Sequence, residues 1–386
     1  MFFQDTAENL QLHQTPFYWY DLNLLRQTLQ ACRVASDAYG FHVHYAMKAN
    51  FNPRILEIIK NVGFGADCVS GNEVKKAVEI GFAPQKIVFA GVGKSDREIE
   101  EALNTNIFCF NVESVQELEV INELAARAGK KARVALRINP NVDAHTHHNI
   151  TTGLAENKFG INQWDLQKCA DILGGVENLW LEGVHFHVGS QITDMNVFKS
   201  LCVKINEIKI WLEDRGFNLN ILNVGGGLGV DYNSPDTNPI PDFKSYFEIF
   251  NKFLDRKPHQ QVHFELGRAL VAQCGALISR VLYVKKGIKK NFLVLDAGMT
   301  ELMRPALYQA YHKIENLSGE QRFPISLCKY DVVGPICEST DCFGKEVNLP
   351  ESRRGDIIKI HSTGAYGEVM ASRYNLRDEI RSIYAE

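Results

Sequence analysis

The sequence predicts an α/β chain in which a (β/α)8 barrel is joined to a C-terminal all-β domain, a sandwich or barrel, that also takes in the N-terminal segment. Three observations predict it. Eight short β-rich runs alternate with amphipathic helical stretches between residues 43 and 266. Past about residue 270 the helical periodicity fades into strand-like segments separated by turns. The aromatic run TPFYWYDL, residues 15–22, stands ahead of the barrel pattern and reads as one more strand of the β domain. On this reading the barrel spans 30–270, and the β domain is 1–29 with 271–386. Such a barrel takes about 250 residues; an open doubly wound sheet is the alternative that the same alternation allows.

In chain order the β-rich runs are VHYAM at 43, GADCV at 65, IVFAG at 87, IFCFN at 107, RVALRI at 133, GVHFHV at 183, ILNVG at 221 and VHFEL at 262. Between them lie NPRILEIIKNV, GNEVKKAVEIG, SDREIEEALNT and ESVQELEVINELAARAG, with apolar residues at i, i+3 and i+4 and Gly, Ser, Asn or Asp at the ends. The later segments LVAQCGALISRVLYVKKG, NFLVLDAG, SLCKYDVVGPIC and DIIKIHSTGAY supply the β domain.

Composition excludes several functions. The 386 residues are 45% hydrophobic and 23% charged, enough to bury a large core. A net charge of -4 with no basic block argues against nucleic acid or an anionic membrane surface as the main partner. The nine cysteines are scattered and never spaced CxxC, as expected of reduced thiols in a cytoplasmic protein. The start MFFQDTAENL lacks the pattern of a secretory signal, and no apolar stretch is long enough to cross a bilayer, so the expectation is a soluble protein.

Chemistry-bearing residues follow the barrel strands. Lys48 and Asn50 follow the first, Asp67 and Ser70 the second, Arg137 and Asn139 the fifth, and His187, Gly189 and Ser190 the sixth. Gly225, Gly226 and Gly227 end the seventh, and Glu265, Gly267 and Arg268 the eighth. Barrel enzymes build their sites at the C-terminal ends of the strands, so these residues are expected at one mouth. A triple glycine lets backbone N–H groups approach an anion, and the loops after strands seven and eight commonly bind phosphate in this fold. A phosphate site together with a strand-one lysine suggests pyridoxal 5'-phosphate bound covalently through the lysine amine.

Ten blocks in order then carry a resemblance over nearly the whole chain: YAMKAN, GADCVSGNE, LRINPNVDAHTH, TGLAENKFG, HFHVGSQI, GGGLG, ELGR, DAGMTELMRPALYQAYH, GPICESTDCFGK and GAYGEVMASRYN. The sequence resembles the barrel-type pyridoxal-phosphate-dependent amino-acid decarboxylases, and within them those that act on diaminopimelate in lysine biosynthesis. The resemblance implies a head-to-tail homodimer whose sites are shared between subunits. It makes Lys48 the cofactor-bearing amine, Glu265 the partner of the pyridine nitrogen and His187 the residue flat against the ring. Asp67, Ser190, Gly225, Gly226, Gly227, Gly267, Arg268 and Tyr366 would surround the cofactor. Arg268, Arg304, Tyr308, Glu338 and Tyr366 would bind substrate, and Cys337 would donate a proton to the substrate's Cα. Cys337 and Glu338 would come from the partner subunit.

Substrate choice follows from these residues. Diaminopimelate has an amino-acid group at both ends, so its site needs a cation for the far carboxylate and an anion for the far ammonium. Arg268 or Arg304 with Glu338 meets that need, whereas ornithine and arginine have no distal carboxylate to pair with a buried arginine. Decarboxylation of carboxynorspermidine is the other enzymatic reading, and a pyridoxal-phosphate-binding relative without catalysis the non-enzymatic one. The sequence departs from the family at Leu266, where ELGR replaces EPGR; a small backbone adjustment is expected. His145, His147 and His148 lack the carboxylate or thiol spacing of a metal site, so no metal is expected.

Overall fold

The computed structural model describes residues 7–142 and 157–386. The histidines at 145, 147 and 148 and most of the TGLAEN run lie outside the described residues. The aromatic run forms β1 (Phe17–Asp21). The eight β-rich runs then form β2 (His42–Ala46), β3 (Gly65–Cys68), β4 (Ile87–Phe89), β5 (Cys109–Val112), β6 (Ala132–Arg137), β7 (Leu179–His185), β8 (Ile221–Asn223) and β9 (Gln261–Leu266). Each pairs in parallel with the next, and β2 pairs with β9 to close the barrel, His42 opposite His263 and Tyr45 opposite Leu266. The barrel expected from the sequence is the one observed, and the open sheet is excluded by that closing pair.

Side-chain capping fixes where several of the intervening helices begin, and so how each loop leaves its strand. Asn52 accepts from the Arg54 N–H at the start of the helix Pro53–Val62, with proline in the first turn, where a missing N–H costs nothing. Ser70 and Ser114 accept from Glu73 and Glu117, and Ser95 with Glu98 forms a capping box. Strand alternation then divides the side chains. On β9, the Phe264 ring packs against Phe247 and Phe250 of the helix Phe243–Phe253, 4.8 and 5.0 Å between centroids. Its neighbours His263 and Glu265 therefore face the barrel interior.

The second group of strands is β10 (Gly275–Lys286), β11 (Asn291–Leu295), β12 (Ile314–Asn316), β13 (Leu327–Val333), β14 (Cys342–Pro350), β15 (Ile357–Ile360) and β16 (Arg381–Ala385). Their order is β12-β15-β10-β11-β13-β14, with β1 beside β10 and β16 beside β1. The N-terminal run thus joins the β domain, as its pattern implies: Phe17 pairs antiparallel with Ile278 and parallel with Arg381. Leu10, Phe17, Ala276, Ile278 and Ile357 pack into one buried apolar cluster there. By contacts, residues 29–229 with 242–267 form one compact unit, and 1–28 with 230–241 and 268–386 form the other. Among the described residues no helix is long and apolar enough to cross a membrane.

Candidate active site

In the barrel unit, Lys48 sits in the single turn Met47–Ala49 directly after β2. Its ammonium lies 3.9 Å from Asp67 Oδ2, and the lysine side chain is 40% exposed against 1% for the aspartate. Neither Asp67 oxygen has a hydrogen-bond partner among the described residues. Burial, then the charge of Glu265, pushes the Asp67 carboxyl well above its ordinary pKa, while Lys48 pulls it back.

Glu265 has the opposite fate. Burial works against its charge too, but His185, Lys48 and an asparagine donor outweigh it and hold the carboxyl far below its ordinary value. Asn111 and Asn223 donate to Oε1 at 2.8 and 2.7 Å, and His185 Nε2 lies 2.9 Å from Oε2. These three residues were not singled out in the sequence. His185 had a signal, since it precedes His187 by two on one strand pattern, and Asn223 stands at the head of NVGGG.

The glycine loop is shaped by backbone crowding. Gly225 and Gly227 have φ of +71° and +107°, the left-handed region that favours glycine. A Cβ on Gly226 would lie 2.0 Å from the Glu265 carbonyl oxygen, and one on Gly225 2.2 Å from that of Phe186. Asn223 Oδ1 accepts from the Gly225 N–H at 3.0 Å, so one asparagine side chain ties the loop to the Glu265 carboxylate. The loop after β7, which carries Ser190, is held beside it by the Ile192–Leu228 bridge. His187 Nδ1 accepts from the Gly226 N–H at 3.4 Å, and burial, then Lys48 and Arg137, drives its pKa well below the ordinary value. The ring is neutral, with its hydrogen on Nε2.

The barrel-unit residues fit pyridoxal phosphate. A glycine cradle that admits no side chain can take phosphate oxygens, and an ionised buried carboxylate can meet a protonated ring nitrogen.

The β unit holds a second cluster. Arg268 opens the short helix Arg268–Val271, and its Nη1 donates to the Tyr232 hydroxyl at 2.6 Å. Its guanidinium lies 4.8 Å from the centre of the Tyr366 ring. Burial opposes the Arg268 charge, but the oxygens of Tyr232, Tyr366 and Tyr308 raise its pKa above the usual value. Arg304 opens the helix Arg304–Tyr308, donates to His312 Nε2 at 2.7 Å, and covers the Tyr232 ring at 4.9 Å. Tyr232 and His312 were also not singled out. Arg268, Arg304 and Tyr366 therefore come together around Tyr232, with Tyr308 half-buried on the same helix as Arg304.

Cys337 and Glu338 are exposed elsewhere on this unit. The Cys337 N–H donates to Asn375 Oδ1 at 3.0 Å, and the Tyr374 hydroxyl donates to Glu338 Oε1 at 2.9 Å. Among the described residues, one cluster has metal-ligand types: Asp236, Glu315 and His361. The Lys313 ammonium pairs with both of its carboxylates, 2.6 Å from Asp236 Oδ2. All nine cysteines are free thiols.

Residues 25–272 match the family model described as the pyridoxal-binding domain of pyridoxal-dependent decarboxylases. The chain is 58% identical over 366 residues to a diaminopimelate decarboxylase of Bacteroides thetaiotaomicron, covering 95% of this chain and 94% of the relative. It superposes on the crystal structure of diaminopimelate decarboxylase from Helicobacter pylori complexed with L-lysine with a TM-score of 0.91, at 40% identity, covering 98% and 93% of the two chains. The enzyme from M. jannaschii in co-complex with L-lysine gives a TM-score of 0.88 at 33% identity, covering 98% and 89%.

Proposed function

The chain belongs to the diaminopimelate decarboxylase family of pyridoxal-dependent decarboxylases, and from that premise we propose the residues that carry its reaction. The reaction is decarboxylation of meso-2,6-diaminopimelate to L-lysine and CO2, with pyridoxal 5'-phosphate as cofactor. When bound, the cofactor supplies a conjugated ring, protonated on nitrogen, that accepts the electron pair left as the Cα–carboxylate bond breaks.

Lys48 holds the cofactor through its amine, beside Asp67. Glu265 keeps the ring nitrogen protonated, and the observation that carries this reading is its buried carboxylate, met by the Asn111 and Asn223 amides and by His185, an arrangement that favours the ionised form a protonated nitrogen needs beside it. His187, neutral and edged against the glycine loop, presents an uncharged face to the ring. Gly225, Gly226, Gly227, Ser190 and Gly267 surround the phosphate, with Arg268 and Tyr366. Arg304 and Tyr308 bind the distal carboxylate of the substrate, where Arg268 adds a second positive charge. Glu338 receives the distal ammonium, and the Cys337 thiol returns the proton to Cα.

Cys337 and Glu338 act in the site of a second copy of the chain. Their exposure supports this, as do Tyr374 and Leu376, 49% and 93% exposed beside them, apolar surface of the kind that subunit contacts cover. The nine free thiols support a cytoplasmic location.

Borohydride reduction followed by peptide mass spectrometry is expected to find the pyridoxyl adduct on Lys48. CO2 release is expected from meso-diaminopimelate well above that from ornithine, arginine or carboxynorspermidine. An adduct on another lysine, or faster release from ornithine, sinks the assignment.

A further inference from the structure

The contact between Arg304 and His312 carries one more assignment, resting on the reading of Arg304 as the binder of the distal carboxylate. Both side chains are buried, 6% and 2% exposed. Among the described residues Arg304 forms no ion pair, and its hydrogen-bond partners, the His312 imidazole and the Tyr232 hydroxyl, are both without a full negative charge. The tautomer of that imidazole follows from its neighbours. His312 Nδ1 lies 2.8 Å from the carbonyl oxygen of His361, which can only accept, so Nδ1 carries the hydrogen. The guanidinium can only donate, so Nε2, at 2.7 Å from Arg304 Nη1, is the bare acceptor. Both bonds require the neutral ring.

We propose that His312 is a positioning residue for substrate recognition: with Tyr232 it sets the direction of the Arg304 guanidinium by hydrogen bonding while leaving its positive charge uncancelled. A carboxylate in the same place would hold the arginine equally well and compete with the ligand for its charge. Burial and the Arg304 charge push the His312 pKa down to about 3, so the ring adds no charge of its own near neutral pH. Tyr232 completes the clamp. Its ring meets His312 edge-on at 5.2 Å and lies under the Arg304 guanidinium at 4.9 Å, packing that fork on its face without neutralising it. An incoming carboxylate then meets an aligned and uncompensated guanidinium.

The test uses the holoenzyme and two ligands that differ by the group in question: L-lysine, the reaction product, and cadaverine, the same diamine without a carboxylate. Calorimetric affinities are compared for the wild type, His312→Leu, His312→Gln and Arg304→Met, with thermal melts to show that each is folded. His312→Leu is expected to weaken lysine binding by roughly 10- to 100-fold and to leave cadaverine binding within about twofold. His312→Gln keeps an acceptor near the Nε2 position and is expected to fall between; should the leucine variant not fold, glutamine carries the comparison. Unchanged lysine affinity in the His312 variants, or equal weakening of both ligands, overturns the proposal. Arg304→Met separates this inference from the reading beneath it. If the lysine-to-cadaverine ratio survives in Arg304→Met, Arg304 does not bind the carboxylate and both assignments fall. If the ratio collapses there but not in the His312 variants, only the role of His312 falls.

Discussion

A wholly buried carboxylate stays ionised only if its charge is met, and at Glu265 two amide donors reach one oxygen while His185 and Lys48 favour the anion. Asp67, equally buried but without hydrogen-bond partners among the described residues, is pushed the other way. Two acids in one barrel unit thus have opposite proton affinities: His185, Lys48 and an asparagine meet the charge of Glu265, while burial and the Glu265 charge itself work against that of Asp67. Glu265→Gln keeps the shape and removes the charge. It is expected to lower kcat by about 100-fold or more, with little change in thermal midpoint and an altered absorbance spectrum of the bound cofactor. An unchanged spectrum and kcat would mean that the charge is idle. The sequence pointed to Glu265 because it ends a strand, whereas His185, which does most to favour its anion, and the two amide donors, 154 and 42 residues away, belong to other strands and meet it only in the closed barrel.

At the scale of elements, β2 and β9 close the barrel and are joined inside it by paired histidines. His44 Nδ1 lies 3.2 Å from the Lys86 carbonyl and Nε2 lies 2.9 Å from His263 Nδ1, while Gln261 Oε1 lies 3.2 Å from His263 Nε2. Burial lowers the pKa of His44 from 6.5 to about 4 and drives His263 in the same direction. Below pH 6.5 the unfolded chain binds a proton that the folded chain refuses. The contribution of His44 to stability is therefore fully present above 6.5 and is lost as the pH falls toward about 4. The loss is up to about 3 kcal/mol. Urea unfolding at a series of pH values should show this, and His44→Asn should flatten the slope in that window. Identical slopes for wild type and variant would refute it. The strands themselves were legible from their β-rich runs and the capped helices between them. The histidine pairing was not, because it depends on which strands close the barrel and on their register.

For the whole molecule, Cys337 and Glu338 are exposed in a single chain, and the proposal that they act in the site of a second copy is open to a direct test. Mixing inactive Lys48→Ala and Cys337→Ala proteins under conditions of subunit exchange should restore activity, up to roughly a quarter of the wild-type sites in a statistical mixture. Exchange without recovery would place each site within one chain.

The sequence by itself determined the succession of barrel strands along the chain, the positions of Lys48, Glu265 and the glycine run at or just after strand ends, and the family, because strand periodicity, turn chemistry and motif order are local properties of the chain. Only the tertiary structure decided that residues 230–241 fold with the β unit and bring Tyr232 between two arginines. It likewise decided that His312 is held neutral and that Glu265 is held charged. Proton affinity and charge balance depend on burial and on partners distant in sequence, and those exist only once the chain has closed on itself.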